Sequence, residues 1–190
     1  AVLSAVLGAL IGVLAGYLGG RLDSFLMRLT DGVISLPLLP LLIVLAAIDP
    51  RKIGIPAEIA QSETFSLYRI VVIVALTGWT TVARLVRAET LSLKARDFTR
   101  AARALGARPG RIMFRHILPN AAGSLVVATT MSVGALILFE STLSFLGLGT
   151  QPPAASWGNM LTGAQELLQQ APMLALWPGQ LIFLTVIAFK

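Results

Sequence analysis

Four runs of this chain, 1–20, 32–48, 117–139 and 167–189, contain no charged residue. A helix rises 1.5 Å per residue, so about 20 apolar residues cross the hydrocarbon core of a bilayer. A soluble domain of 190 residues has no interior large enough to take four such runs. A fifth run, 70–83, is shorter, but Arg69 at one end and Arg84 and Arg87 at the other can carry their charges to the interfaces. Pro37, Pro40, Pro172 and Pro178 fall inside or beside these runs and are tolerable there, because neighbouring helices re-satisfy the freed backbone groups. The balance of 56% hydrophobic and 13% charged residues also lies well outside the soluble range. The expected fold class is an all-α integral membrane chain with five spanning helices. Ala1 starts inside an apolar run without a Met or a secretory signal, so a piece of a longer polypeptide is expected.

Charge placement orients these helices. With five crossings, loops 21–31 and 84–116 share one side, and loops 49–69 and 140–166 share the other. The first pair holds Arg21 and Arg28 together with nine more Lys/Arg between Arg84 and Arg115; the second holds only Arg51, Lys52 and Arg69. Basic loops stay in the cytoplasm. The net charge of +6 is therefore concentrated between membrane runs rather than spread on a nucleic-acid-binding surface.

Most of that charge lies in a polar island, 89–120, with the sequence ETLSLKARDFTRAARALGARPGRIMFRHILPN. At 100° per residue, Arg96, Arg100 and Arg103 fall on one side of a helix, and Phe98, Ala101, Ala102 and Leu105 on the other. Gly106 occupies the position where a glycine closes a helix in the left-handed conformation, and Pro109 suits the first turn of the next. The island thus reads as helix, sharp turn, helix, a shape suited to contact by something else or to rest on lipid headgroups.

Other features are weaker guides. Gly8, Gly12, Gly16 and Gly20 recur every four residues, as they do where helix backbones approach closely in lipid, either within the chain's own bundle or at a subunit interface. Residues 49–68 form an outer loop broken by Pro and Gly. After Phe139, Gly147, Gly149, Pro152 and Pro153 make an irregular turn; Ser156 is then a suitable N-cap for a helix to about Gln170 along the outer membrane surface. Glu140 lies at a helix end as an interfacial carboxylate, although an acid beside a membrane run is also a candidate ion site. Thr129, Thr130 and Ser132 either bond helix carbonyls or line a path.

The chemistry is sparse. With no cysteine there is no thiolate ligand or nucleophile, and the single His116 supports no histidine metal cluster. Lys52, Lys94 and Lys190 follow Arg51, Leu93 and Phe189, so no phosphate-cradling Gly-Lys-Ser/Thr loop exists. Neither a catalytic constellation nor a cofactor or metal site is expected in this chain.

The segment RAARALGARPGRIMFRHILPN resembles the EAA loop of binding-protein-dependent ABC transporter permeases: Ala101, Ala102, Gly106, Leu118 and Pro119 match. Arg100 departs from the pattern, since the family usually carries Glu there. AGYLGGRLDSFLMRLTDGVISLP, VARLVRAETLSL, STLSFLGLGTQPPAASWGNML and LALWPGQLIFLTVIAF are similar to the C-type subunit of the dipeptide, oligopeptide and nickel permease branch. The resemblance implies a MetI-like type I importer transmembrane domain over 1–190, truncated at both ends, with 89–120 as its cytoplasmic coupling loop. It implies a multi-pass protein of the bacterial or archaeal cytoplasmic membrane. Its partners would be a B-type permease subunit, two cytoplasmic ABC ATPases that bind ATP and Mg, and an extracytoplasmic solute-binding protein. Arg96, Asp97, Phe98, Arg100, Ala101, Ala102, Leu105 and Gly106 would dock on the ATPase, with Phe98 and Leu105 as apolar anchors and Ala101 and Ala102 allowing close approach. Gly8, Gly12 and Gly16 would pack helices or subunits, and Thr129, Ser132 and Glu140 would border the translocation path. The expected cargo is peptides, with nickel chelates or glutathione as alternatives. Rival readings from other classes are a secondary transporter, a passive channel, an exporter permease and a non-transporting membrane scaffold.

Overall fold

A computed structural model describes residues 1–37, 40, 41, 43, 44, 48, 56, 63–147, 149 and 155–189. Residues 38, 39, 42 and 45–47 of the expected run 32–48, all of 49–62 but residue 56, and residues 148 and 150–154 of the irregular turn lie outside the described residues; the last part of the expected loop 49–69, from Glu63 on, is helical instead. The described elements are helical: α1 (Val2–Leu18), α2 (Gly20–Ser35), α3 (Glu63–Lys94), α4 (Asp97–Ala104), α5 (Pro109–Ile112), a π-helical turn (Met113–Ile117), α6 (Leu118–Asn120), α7 (Ala122–Phe145), α8 (Trp157–Ala164) and α9 (Met173–Ala188).

Boundaries follow local chemistry. The first apolar run stops at Gly19, whose φ of 68° lets its N–H reach the Ala15 carbonyl. A second helix starts at once, where a loop was expected. Leu22, Phe25 and Leu29 recur at helical spacing there, and Asp23 in the first turn complements the helix dipole. Helix α3 runs for 32 residues, past the expected membrane edge at Arg84, because no Gly or Pro lies between Arg84 and Lys94 to stop it. Before Pro119, which has no N–H to give, the helix widens to a π turn, and Asn120 Nδ2 donates to the His116 carbonyl at 2.6 Å. Among the described residues, Ala122–Phe145 is the helix both long and apolar enough to cross a membrane; Val2–Leu18 and Met173–Ala188 are apolar but shorter. Much of α7 is exposed or only partly covered, with Val126 at 61% and Val127 at 59% exposure, a condition suited to lipid rather than water.

The chain divides into two compact units: Ala1–Leu36 with Ala75–Thr130, and Pro37–Val74 with Met131–Lys190. In the first, α1 lies against α3 along its glycines. A Cβ at Gly8 would come within 2.6 Å of the Trp79 carbonyl oxygen, at Gly12 within 2.5 Å of that of Ala83, and at Gly16 within 2.8 Å of Thr90 Cβ. Around this seam, Val13, Tyr17, Val82, Val86, Ile112, Met113 and Ile117 form a buried apolar cluster. The polar island is thus anchored to the bundle by its second half, since Ile112 and Ile117 are almost completely buried.

Polar ties complete this unit. Lys94 Nζ donates to the Tyr17 carbonyl at 2.6 Å and satisfies one of the open acceptors at the end of α1. Ser124 Oγ donates to Glu89 Oε1 at 2.8 Å, and Arg84 pairs with Asp31. Arg87 grips Asp23 with two bonds, Nε to Oδ1 at 2.5 Å and Nη2 to Oδ2 at 2.7 Å. These bonds hold the Asp23 carboxyl below its ordinary range and raise Arg87. A carboxyl depressed on folding stabilises the fold above its unfolded value and loses that effect as pH falls through its folded value. Asp23→Asn is therefore expected to melt below the parent at pH 7 in detergent, the gap closing as pH drops below about 4. Parallel melting curves at pH 7 and pH 3 check this.

In the second unit, α8 packs on α9, and α9 meets α7 where Gly134 faces Val186. Ser156 caps α8 as expected, its Oγ accepting from the Asn159 N–H at 3.2 Å. The helix ends at Ala164 rather than near Gln170, and residues 165–170 continue as turns. Thr162 Oγ1 bonds the Phe145 carbonyl at 3.1 Å, Gly158 leaves no room for a side chain beside Ser141, and Gly147 closes α7 at φ 74°. Thr162 and Gly158 therefore bind α8 to the end of α7.

Candidate functional site

The residues expected to dock a partner lie on and around α4. Arg96 is its N-cap in extended geometry (φ −69°, ψ 151°), and Asp97 supplies an acid to the first turn. Its C-terminal end closes by two bonds. The Gly106 N–H reaches the Arg103 carbonyl at 3.0 Å, and the Ala107 N–H reaches the Ala102 carbonyl at 3.1 Å, with Gly106 at φ 79°. This is the Schellman pattern, and it accounts for a glycine at 106, where the left-handed conformation is required. Pro109 then occupies the first turn of α5.

Two contacts fix which face of α4 looks outward. Thr99 is completely buried, its Oγ1 donating to the Leu93 carbonyl at 2.8 Å, and Ala102 packs with Ala107 against the apolar cluster. The outward face holds Asp97, Arg100, Ala101 and Ala104, with Phe98 (40% exposed) and Leu105 (87% exposed) along one edge. Ala102, grouped with the partner-facing residues in the sequence reading, instead faces the bundle. Ala104 takes its place beside Ala101, and two small side chains there leave the helix backbone open to close approach.

The opposite edge is basic. Arg103 lies over the Tyr17 ring, with its guanidinium carbon 5.9 Å from the centroid, and Lys94 Nζ lies 5.4 Å from it. Tyr17, Thr99 and Lys94, which position α4, were missed in sequence. A tyrosine at the last turn of an apolar helix is a faint signal, and the Lys94–Tyr17 contact spans 77 residues. Among the described residues the ion pairs are Arg84–Asp31 and Arg87–Asp23, so Arg96 and Arg100 enter none.

The other expected residues are placed as follows. Gly8, Gly12 and Gly16 face the chain's own α3. Thr129 Oγ1 donates to the Leu125 carbonyl at 2.7 Å, and Thr130 Oγ1 to that of Val127 at 2.9 Å. Thr129 and Thr130 also border an apolar groove of about 380 Å³ lined by α1 and α7 residues such as Val6, Leu10 and Val126. Ser132 is half-buried within α7, while Glu140, also half-buried, accepts from Ser144 Oγ at 2.7 Å. Glu140 lies inside α7 rather than at its end, because the helix continues to Phe145.

These features define a helical membrane component that displays a short helix with one basic and one apolar edge. Residues 8–189 match the family described as the binding-protein-dependent transport system inner membrane component, and the chain belongs to that family. A Brucella ovis protein whose name assigns it to the peptide permeases is 43% identical over 170 residues, 88% of this chain and 52% of its own length. The oligopeptide transport system permease protein OppC of Bacillus subtilis is 35% identical over 170 residues, 90% of this chain and 51% of its own. The glutathione transport system permease protein GsiD of Salmonella typhimurium is 41% identical over 168 residues, 88% and 51%. The chain spans about half the length of the curated relatives it matches.

Proposed function

We propose that this chain is part of the C-type permease subunit of an ATP-driven importer for peptides. The observation that carries the reading is the similarity, over almost nine-tenths of the chain, to proteins named as peptide and oligopeptide permeases. In this reading five helices cross the bilayer in a MetI-like transmembrane domain, and α4 faces the cytoplasm. A B-type permease subunit pairs with it, two ATPases bind ATP and Mg beneath, and a solute-binding protein delivers cargo from outside. The chain supplies no nucleotide site of its own.

The mechanism follows from how α4 is held. Phe98, Ala101, Ala104 and Leu105 enter a groove on the ATPase, while Thr99, Ala102 and the Schellman turn hold the helix to α1 and α3. Closure of the ATPase pair moves α4 as a lever, and the rigid joint passes that movement to the membrane helices. Coupling requires that the ATP-bound groove favour one helix arrangement over the other. Glutathione is a second reading, favoured by the 41% identity to a glutathione permease. The test is uptake in proteoliposomes holding the full-length permease pair, both ATPases and the binding protein. ATP-dependent accumulation of di- to pentapeptides, competed weakly by glutathione and nickel chelates, is expected. Accumulation of glutathione alone would move the cargo to that class, and no ATP-dependent uptake of any of these would remove the importer reading.

A further inference from the structure

The edges of α4 differ in kind. One presents Phe98 and Leu105, apolar and exposed; the other presents Arg96 and Arg100, exposed and outside the ion pairs of the described residues. The same face carries one acid, Asp97, and the next basic side chain, Arg103, is turned over Tyr17.

Resting on the docking reading above, we infer that the partner groove has two unlike walls, an apolar wall receiving Phe98 and Leu105 and an acidic wall facing Arg96 and Arg100. Two exposed guanidiniums brought into a protein groove lose water, and carboxylates opposite them offset that loss through paired, charge-assisted hydrogen bonds. A groove with positive charge at that wall repels this helix. The acidic wall therefore fixes the orientation of docking and restricts this permease to an ATPase that carries the compensating carboxylates.

The experiment measures association of the full-length permease pair in nanodiscs with its ATPase across a salt series. Arg96→Glu/Arg100→Glu is expected to weaken association by about tenfold or more and to flatten its salt dependence. Replacing the facing acids of the ATPase groove with Lys is expected to restore it. Both arginines are exposed, so membrane insertion and melting should match the parent. If the double reversal leaves affinity and salt slope unchanged, or tightens binding, while Leu105→Asp still abolishes association, the acidic wall is overturned and docking stands. If Leu105→Asp also leaves association intact, the docking reading itself falls. A defect that follows the anionic lipid content of the nanodisc, and not the ATPase acids, assigns these arginines to headgroups and overturns the inference.

Discussion

Gly12→Val is expected to destroy the folded protein rather than impair a function. A Cβ at Gly12 meets the Ala83 carbonyl oxygen at 2.5 Å and Val86 Cβ at 2.8 Å, with the Arg87 backbone nitrogen at 3.0 Å. Two of these three atoms belong to the backbone of α3, so no rotamer change relieves the clash. The helices must separate, and separation uncovers Val13 and Val86, both essentially fully buried. Overpacking typically costs 1–3 kcal/mol, and a clash against backbone places this variant at about 3 kcal/mol or more. Separation would also pull Arg87 from Asp23 and Lys94 from the Tyr17 carbonyl. Gly12→Ala should fall between parent and valine variant. Gly123→Ala in α7 meets nothing within 4 Å and should be neutral or slightly stabilising, since alanine favours helix. Melting temperature and monodisperse yield in detergent read all three; a Gly12→Val protein that melts with the parent would refute the seam.

The largest functional loss is expected from Leu105→Asp. Leu105 is 87% exposed among the described residues, so insertion and melting should stay close to the parent. In a groove it becomes an apolar anchor, and a carboxylate at a buried anchor lowers affinity on the order of 100-fold or more. ATP-dependent uptake and ATPase co-purification should disappear together. Ala101→Glu should act similarly, because Ala101 is on the outward face. Ala102→Glu is a less specific probe, since Ala102 packs with Ala107 against the bundle and its loss would mix folding with docking. Gly106→Asp adds backbone strain at φ 79° and loosens the turn that sets the angle of α4. Uptake that persists in Leu105→Asp would show that α4 is not gripped through this edge.

What could be read in the sequence was local. Gly106, Pro109 and Ser156 announce a turn, a helix start and a cap because each acts within a few residues of itself. The helical wheel separated the arginines of α4 from its apolar positions, but it could not tell which side the bundle would take. Thr99 and Ala102 turned inward because Leu93 and Ala107 wait there. The glycine ladder of α1 signalled close approach without naming its partner, which α3 supplies from about 70 positions away. Helix α2 was hidden because its four charged residues, Arg21, Asp23, Arg28 and Asp31, resemble a loop until Arg84 and Arg87 are seen opposite the two acids. The ends of α3 and α7 were displaced for a related reason: hydropathy marks where a helix leaves lipid, whereas caps and glycines mark where it stops.

The unbroken stretch of α3 from Arg84 to Lys94 has a consequence for distance. Eleven residues of helix reach about 16 Å beyond the point where the apolar run gives way to arginine. Gly16 and Tyr17 of α1 lie along the same stretch, at Thr90 and Lys94, so α3 runs there as half of a two-helix strut. On the proposed docking reading, a push on α4 would reach the apolar helices through a strut too stiff to absorb it.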